Sequence, residues 1–120
     1  MSLNLDNLDE DTRNKIVNLQ NMSQTMEFLT QQKLQMETAE RENNIAIEEL
    51  EKIEDATPVY KSIGGILVKS EKNKLLDEKK SLKTTLEMRI KTIDQKVQRT
   101  RSNLEAMQKS LQADLKTKGA

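Results

Sequence analysis

Apolar residues recur at alternating steps of three and four along two long stretches of the chain. In the first, Leu19, Met22, Met26, Leu29, Lys33, Met36, Glu40, Asn43, Ile47 and Leu50 fall on one stripe, and seven of these ten are apolar. This spacing marks a heptad seam with three polar interruptions. In the second, the stripe runs Leu75, Lys79, Leu82, Leu86, Ile90, Ile93, Val97, Thr100, Leu104, Met107, Leu111, Leu115. Consecutive steps of four around Leu86 and Leu111 locally unwind a left-handed supercoil. The sole proline is Pro58, and the three glycines are Gly64, Gly65 and Gly119, so residues 10–55 and 71–117 contain no helix breaker. Helices are expected over 9–54 and 71–117, each about 65–70 Å long at 1.5 Å per residue. Asn7 with Glu10, or Asp9 in competition, is placed to cap the first. Ser70 is placed to cap the second, with Glu71 in its first turn.

Between the stripes the pattern changes. Pro58 stops a helix and biases Thr57 toward extended backbone. Two β-branched, apolar-rich runs then flank Gly64-Gly65. A two-residue hairpin turn needs positive φ, which glycine adopts without strain. A β-hairpin over 57–70 follows, with Ile63 opposite Ile66 and Lys61 opposite Val68. One face carries Val59, Ile63, Ile66 and Val68; the other carries Tyr60, Ser62, Leu67 and Lys69.

A hairpin lays the two helices antiparallel. Matching the helix ends puts Met22 near Met107, Leu29 near Thr100, Met36 near Ile93, Ile47 near Leu82, and Asn43 opposite Leu86. Glu40 then meets Arg89, an interhelical ion pair of about 0–1 kcal/mol if exposed, useful mainly for register. Charge agrees with folding back. Residues 1–57 hold 13 acidic and 5 basic side chains, a net of −8, whereas residues 72–118 hold 13 basic and 6 acidic, a net of +7. The expected fold class is mostly α, with residues 1–120 forming one unit.

Composition narrows the chemistry. Phe28 and Tyr60 are the only aromatics, too few for an ordinary globular core. The chain has no cysteine and no histidine, which removes disulfides and Cys- or His-based zinc sites. The acidic clusters Asp9-Glu10-Asp11 and Glu48-Glu49-Glu51 read as solvated helix faces, and Ile63–Lys69 lacks the spacing of a phosphate loop. No catalytic residue, metal ligand or cofactor is expected. No apolar run approaches the roughly 20 residues that span a bilayer. The acidic start lacks a signal peptide's basic region, so a cytoplasmic protein is expected. Basic charge in the second helix is interleaved with acids, which argues against a nucleic-acid interface.

An isolated two-stranded hairpin is marginal in water, and this one offers two open edges and a largely apolar face. Pairing with hairpins of other subunits resolves both problems by closing a sheet or barrel. At Thr57–Lys69 (TPVYKSIGGILVK) and at Leu86–Ile93 (LEMRIKTI), in this helix–hairpin–helix setting, the chain resembles the archaeal-type β class of the prefoldin family over essentially its whole length. A single hairpin between the helices is the β-class pattern.

The resemblance implies an ATP-independent chaperone subunit in a hexamer of two α-class and four β-class chains. Their hairpins would form a barrel body, with Val59, Tyr60, Ile63, Gly64, Gly65, Ile66, Leu67 and Val68 in the oligomerisation surface. Coiled-coil tips would capture unfolded polypeptides and deliver them to a group II chaperonin. Near the tips lie Ile16, Val17, Leu19, Met22, Met26, Leu104, Met107, Leu111 and Leu115, candidates for client contact once the terminal turns fray. The partners implied are α-class subunits, further copies of the chain, unfolded clients and the chaperonin, without nucleic acid or membrane. The alternatives are a coiled-coil tether or scaffold without chaperone activity, and an RNA-binding helical arm.

Overall fold

The computed structural model describes residues 8–117. Helix α1 runs Glu10–Lys52, strand β1 Val59–Ile63, strand β2 Ile66–Ser70 and helix α2 Lys72–Thr117. The contacts group into two compact units. The terminal unit holds residues 8–32 and 93–117, and the hairpin unit holds Lys33–Thr92.

Helix α1 starts at Asp9. Its Oδ1 accepts the Thr12 backbone N–H at 2.8 Å, and its carbonyl accepts that of Arg13 at 3.0 Å. Asp9 is therefore the cap; Asn7, the other candidate, lies outside the described residues. Threonines inside the helices keep their hydroxyls occupied locally. Those of Thr25, Thr30 and Thr38 in α1, and of Thr84, Thr85 and Thr92 in α2, donate to the carbonyl four residues back.

In the terminal unit, Ile16 and Leu29 of α1 and Ile93, Val97 and Leu111 of α2 are buried. Thr12 is fully buried with them. Met22 and Met107 line one shallow groove, as the antiparallel register predicts. Lys15 crosses to α2, where its Nζ donates to Ser110 Oγ at 2.9 Å and to the Asp114 carboxylate.

In the hairpin unit, Leu75 and Leu86 are the buried apolar residues and Asn43 is the buried polar one. The register here departs from expectation. Asn43 Nδ2 donates to the Lys79 carbonyl at 2.8 Å, seven residues before Leu86, its expected partner. The ion pair expected between Glu40 and Arg89 does not form. Among the described residues of this unit, α1 and α2 are bridged by charge at Glu51–Lys80, 3.7 Å. The Asn43 side chain reaches a turn of α2 nearer the hairpin than the one expected. Leu82, expected in the seam, is exposed.

The hairpin has its expected register, with Ile63 opposite Ile66, Lys61 opposite Val68 and Val59 opposite Ser70. Gly64 and Gly65 turn with φ of 55° and 84°, the left-handed pair of a type I′ turn. Pairing with Val59 holds Ser70 in β2, so Ser70 does not cap α2. Glu71 takes that place, its carbonyl accepting the Leu75 N–H at 3.0 Å.

Candidate functional site

Every residue from Tyr60 to Lys69 is exposed; only Val59 and Ser70, at the hairpin's base, are half-buried. Leu67 reaches 72 % exposure, and Tyr60, Ile63, Ile66 and Val68 are exposed with it. A hairpin tucked against its own helix ends would have covered these side chains. Here apolar groups lie on both faces of a two-stranded sheet whose outer edges bear no further strand among the described residues. An open strand edge beside exposed apolar side chains is suited to pairing with a further strand.

Two lysines make the polar ties around the hairpin's base. Lys72, at the start of α2, donates to the Ile53 carbonyl at 2.7 Å and to Asp55 at 3.1 Å. The cation thus meets the negative end of α1 and satisfies a carbonyl left open there. Lys61 in β1 pairs with Glu78 in α2 at 3.0 Å. These anchors are invisible to a heptad reading, which follows apolar seams. The available signal was a basic residue opening one helix where another helix ends.

The hydrogen bond from Lys61 holds the Glu78 carboxyl below its ordinary pKa, reinforced by the charges of Lys61, Lys74 and Lys79. Because the folded value is depressed, the pair contributes above the ordinary carboxylate range and is lost as pH falls through the folded value. In a carboxyl NMR titration, Glu78 is expected to titrate below the ordinary glutamate value. Lys61→Ala should raise its midpoint toward that value; an unchanged midpoint in that variant would show the pair to be absent in solution.

The nine candidate client residues divide unevenly. Ile16 and Leu111 are buried, and Leu19, Met22, Met26, Leu104, Met107 and Leu115 are half-buried in the seam of the terminal unit. Val17 alone faces outward, at 48 % exposure. Phe28, off the seam on the same helix, is 66 % exposed.

Among the described residues no group of histidine, cysteine or acidic side chains is placed to hold a metal ion. No helix among them is long and apolar enough to cross a membrane.

Two long helices joined by an exposed, glycine-turned hairpin define a helical chain with an open strand pair. Residues 13–118 match the family model described as prefoldin subunit, and the chain belongs to that family. It is 36 % identical over 105 residues to prefoldin subunit beta of Archaeoglobus fulgidus, covering 88 % of this chain and 90 % of that protein. It is 31 % identical over 103 residues to the beta subunit of Methanosarcina acetivorans, covering 86 % of this chain and 88 % of that one. The crystal structure of the prefoldin beta subunit from Thermococcus strain KS-1 superposes with a TM-score of 0.79 at 25 % identity, over 89 % of this chain and 94 % of that one. The chain is a prefoldin chaperone subunit, and the tether reading gains no support from its relatives.

Proposed function

We propose that the chain, as one unit over residues 1–120, is the β-class member of a cytoplasmic hexamer of two α-class and four β-class subunits. The observation that carries this reading is the uncovered hairpin with Ile63, Ile66, Leu67 and Val68 exposed. Strands of neighbouring subunits complete its ladder in a shared barrel, and Val59, Tyr60 and the Gly64-Gly65 turn belong to the same surface. The assembly holds unfolded polypeptides without nucleotide or cofactor and passes them to a group II chaperonin. It performs no catalysis.

Client capture draws on the ends of α1 and α2. Ile16, Leu19, Met22, Met26, Leu104, Met107, Leu111 and Leu115 are occupied with one another in the closed seam, so they serve clients only as the terminal turns open. Terminal turns have packing neighbours on one side only and open at the lowest free energy in a helix pair. Several weakly binding ends on one body gain by effective concentration.

The test mixes the chain with an α-class subunit, measures the mass, and then assays suppression of aggregation of a denatured protein without nucleotide. Trimming the first two turns of α1 and the last two of α2 is expected to preserve the six-subunit stoichiometry and remove most of the suppression. A hexamer that protects equally well after trimming would show that the ends are not the client site. An RNA-binding arm instead predicts salt-sensitive binding of nucleic acid.

A further inference from the structure

All of the sulfur in this chain is methionine: there are six, with no cysteine. Two of the six meet across the helix pair of the terminal unit. Met22 of α1 and Met107 of α2 are both half-buried and line one groove together with Lys15 and Ser110. A second groove shares Met22, Asn103 and Met107 and extends to Asn18 and Asn21. Both thioethers therefore pack in the seam and still border open grooves that a small solute can enter. The groove rims are rich in donors, because the amides of Asn18, Asn21 and Asn103 are exposed there.

We propose that Met22 and Met107 form a peroxide-sensitive modification site, whose reversible oxidation to methionine sulfoxide loosens the seam of the terminal unit. Hydrogen peroxide transfers one oxygen to the thioether: an S–O bond forms, the O–O bond breaks, sulfur loses two electrons and the peroxide is reduced to water. The step needs only the approach of the oxidant to sulfur. Its product turns a flexible apolar side chain into a polar one. Keeping the new oxygen in an apolar seam without a donor is costly. The rim amides of Asn18, Asn21 and Asn103 supply donors, so the oxidised side chains turn outward and vacate the seam. Voids remain where methyl and methylene groups had packed. Since both partners of one cross-seam pair change, neither fills the space left by the other. Met88 is the contrast: it is 66 % exposed in the hairpin unit, and its oxidation alters only a solvated surface. The site acts on the packing of the two helices, whatever they bind.

The experiment treats the full chain, assembled with its α-class partner, with hydrogen peroxide. Peptide mass mapping follows each methionine, and amide hydrogen exchange follows each helix. Met22 and Met107 are expected to gain one oxygen each, at rates within about tenfold of that of Met88. Exchange in peptides spanning residues 16–29 and 97–111 is expected to rise about tenfold or more, while peptides around Met88 stay unchanged. The rise should track oxidation of Met22 and Met107 in time, and methionine sulfoxide reductases for both epimers should reverse it. Met22→Leu with Met107→Leu, a swap of similar volume, is expected to exchange within about twofold of its untreated state after peroxide. If that variant is itself loosened before treatment, the time course of the parent decides. Oxidation of the pair much slower than that range would show that the grooves do not admit the oxidant. Full oxidation with unchanged exchange, a rise that tracks Met26 or Met36, or an equal rise in the double leucine variant would each overturn the site.

Discussion

Replacing Ile63 and Ile66 together with lysine is expected to abolish assembly while both helices stay folded. The two isoleucines face each other across the last pair before the turn, and both are exposed in the single chain. Covering one such side chain on association contributes about 1–2 kcal/mol, given that part of each is already shielded. Lysine forfeits that and adds an ammonium whose burial without a partner costs several kcal/mol more. Each of the four β-class copies in the proposed hexamer would carry both changes, so the loss multiplies around the assembly. The helices have no stake in these residues, because their seams run through Ile16, Leu29, Leu75, Leu86, Ile93, Val97 and Leu111. Sedimentation of the variant with an α-class partner should report only small species, with helical circular dichroism close to the parent's. Retention of the parent's mass would mean that the hairpin is not the joint.

The turn behind that surface tolerates little. Nothing lies within 4 Å of a Cβ built at Gly64 or Gly65, so space is not the obstacle. The obstacle is φ: any L side chain other than Asn or Asp would sit in left-handed backbone at a cost of roughly 1–2 kcal/mol per residue. Beyond the exposed Lys61–Glu78 pair, a hairpin this short has little to absorb that cost, since a two-stranded ribbon is marginal to begin with.

This part of the molecule was open to reading from sequence because its signals are local. Gly64-Gly65 fixes the turn, the turn fixes the register, and Pro58 fixes where α1 can no longer run. Helix extent was equally plain from the absence of glycine and proline over 10–55 and 71–117. Long-range features were less accessible. Heptad spacing says that two helices pair; it does not say which turn faces which where the seam turns polar. Around Lys33, Glu40 and Asn43 the apolar signal lapses, and a side-chain amide reaching a backbone carbonyl sets the local contact instead. Ser70 misled for a related reason: its capping propensity is local, but pairing with Val59 keeps it in the strand.

Asn43→Leu is expected to stabilise the hairpin unit by about 1–2 kcal/mol, raising the melting temperature by several degrees at fixed subunit concentration. Asn43 is 4 % exposed and donates through Nδ2 to the Lys79 carbonyl, but its Oδ1 has no hydrogen-bond partner. The bond made is worth about 1 kcal/mol net, and a buried acceptor left unmatched costs about 1–3 kcal/mol, so the amide is a net liability. Leucine removes that liability and adds apolar volume at a buried position, less some strain from its larger size. A buried asparagine in a coiled coil commonly offsets its cost by fixing register. Here that function is already filled: the two-residue turn and the Lys72–Ile53 bond tie the helix ends together close to Asn43. Slipping by one heptad would require about 10 Å of travel that the hairpin cannot supply. The absence of native cysteine allows spin labels to be placed cleanly at Glu51→Cys and Lys80→Cys. Their distance distribution should stay single and unshifted when Asn43 becomes leucine. A lower melting temperature would reverse the energetic argument, and a second distance population would return to Asn43 the register role that the hairpin otherwise holds.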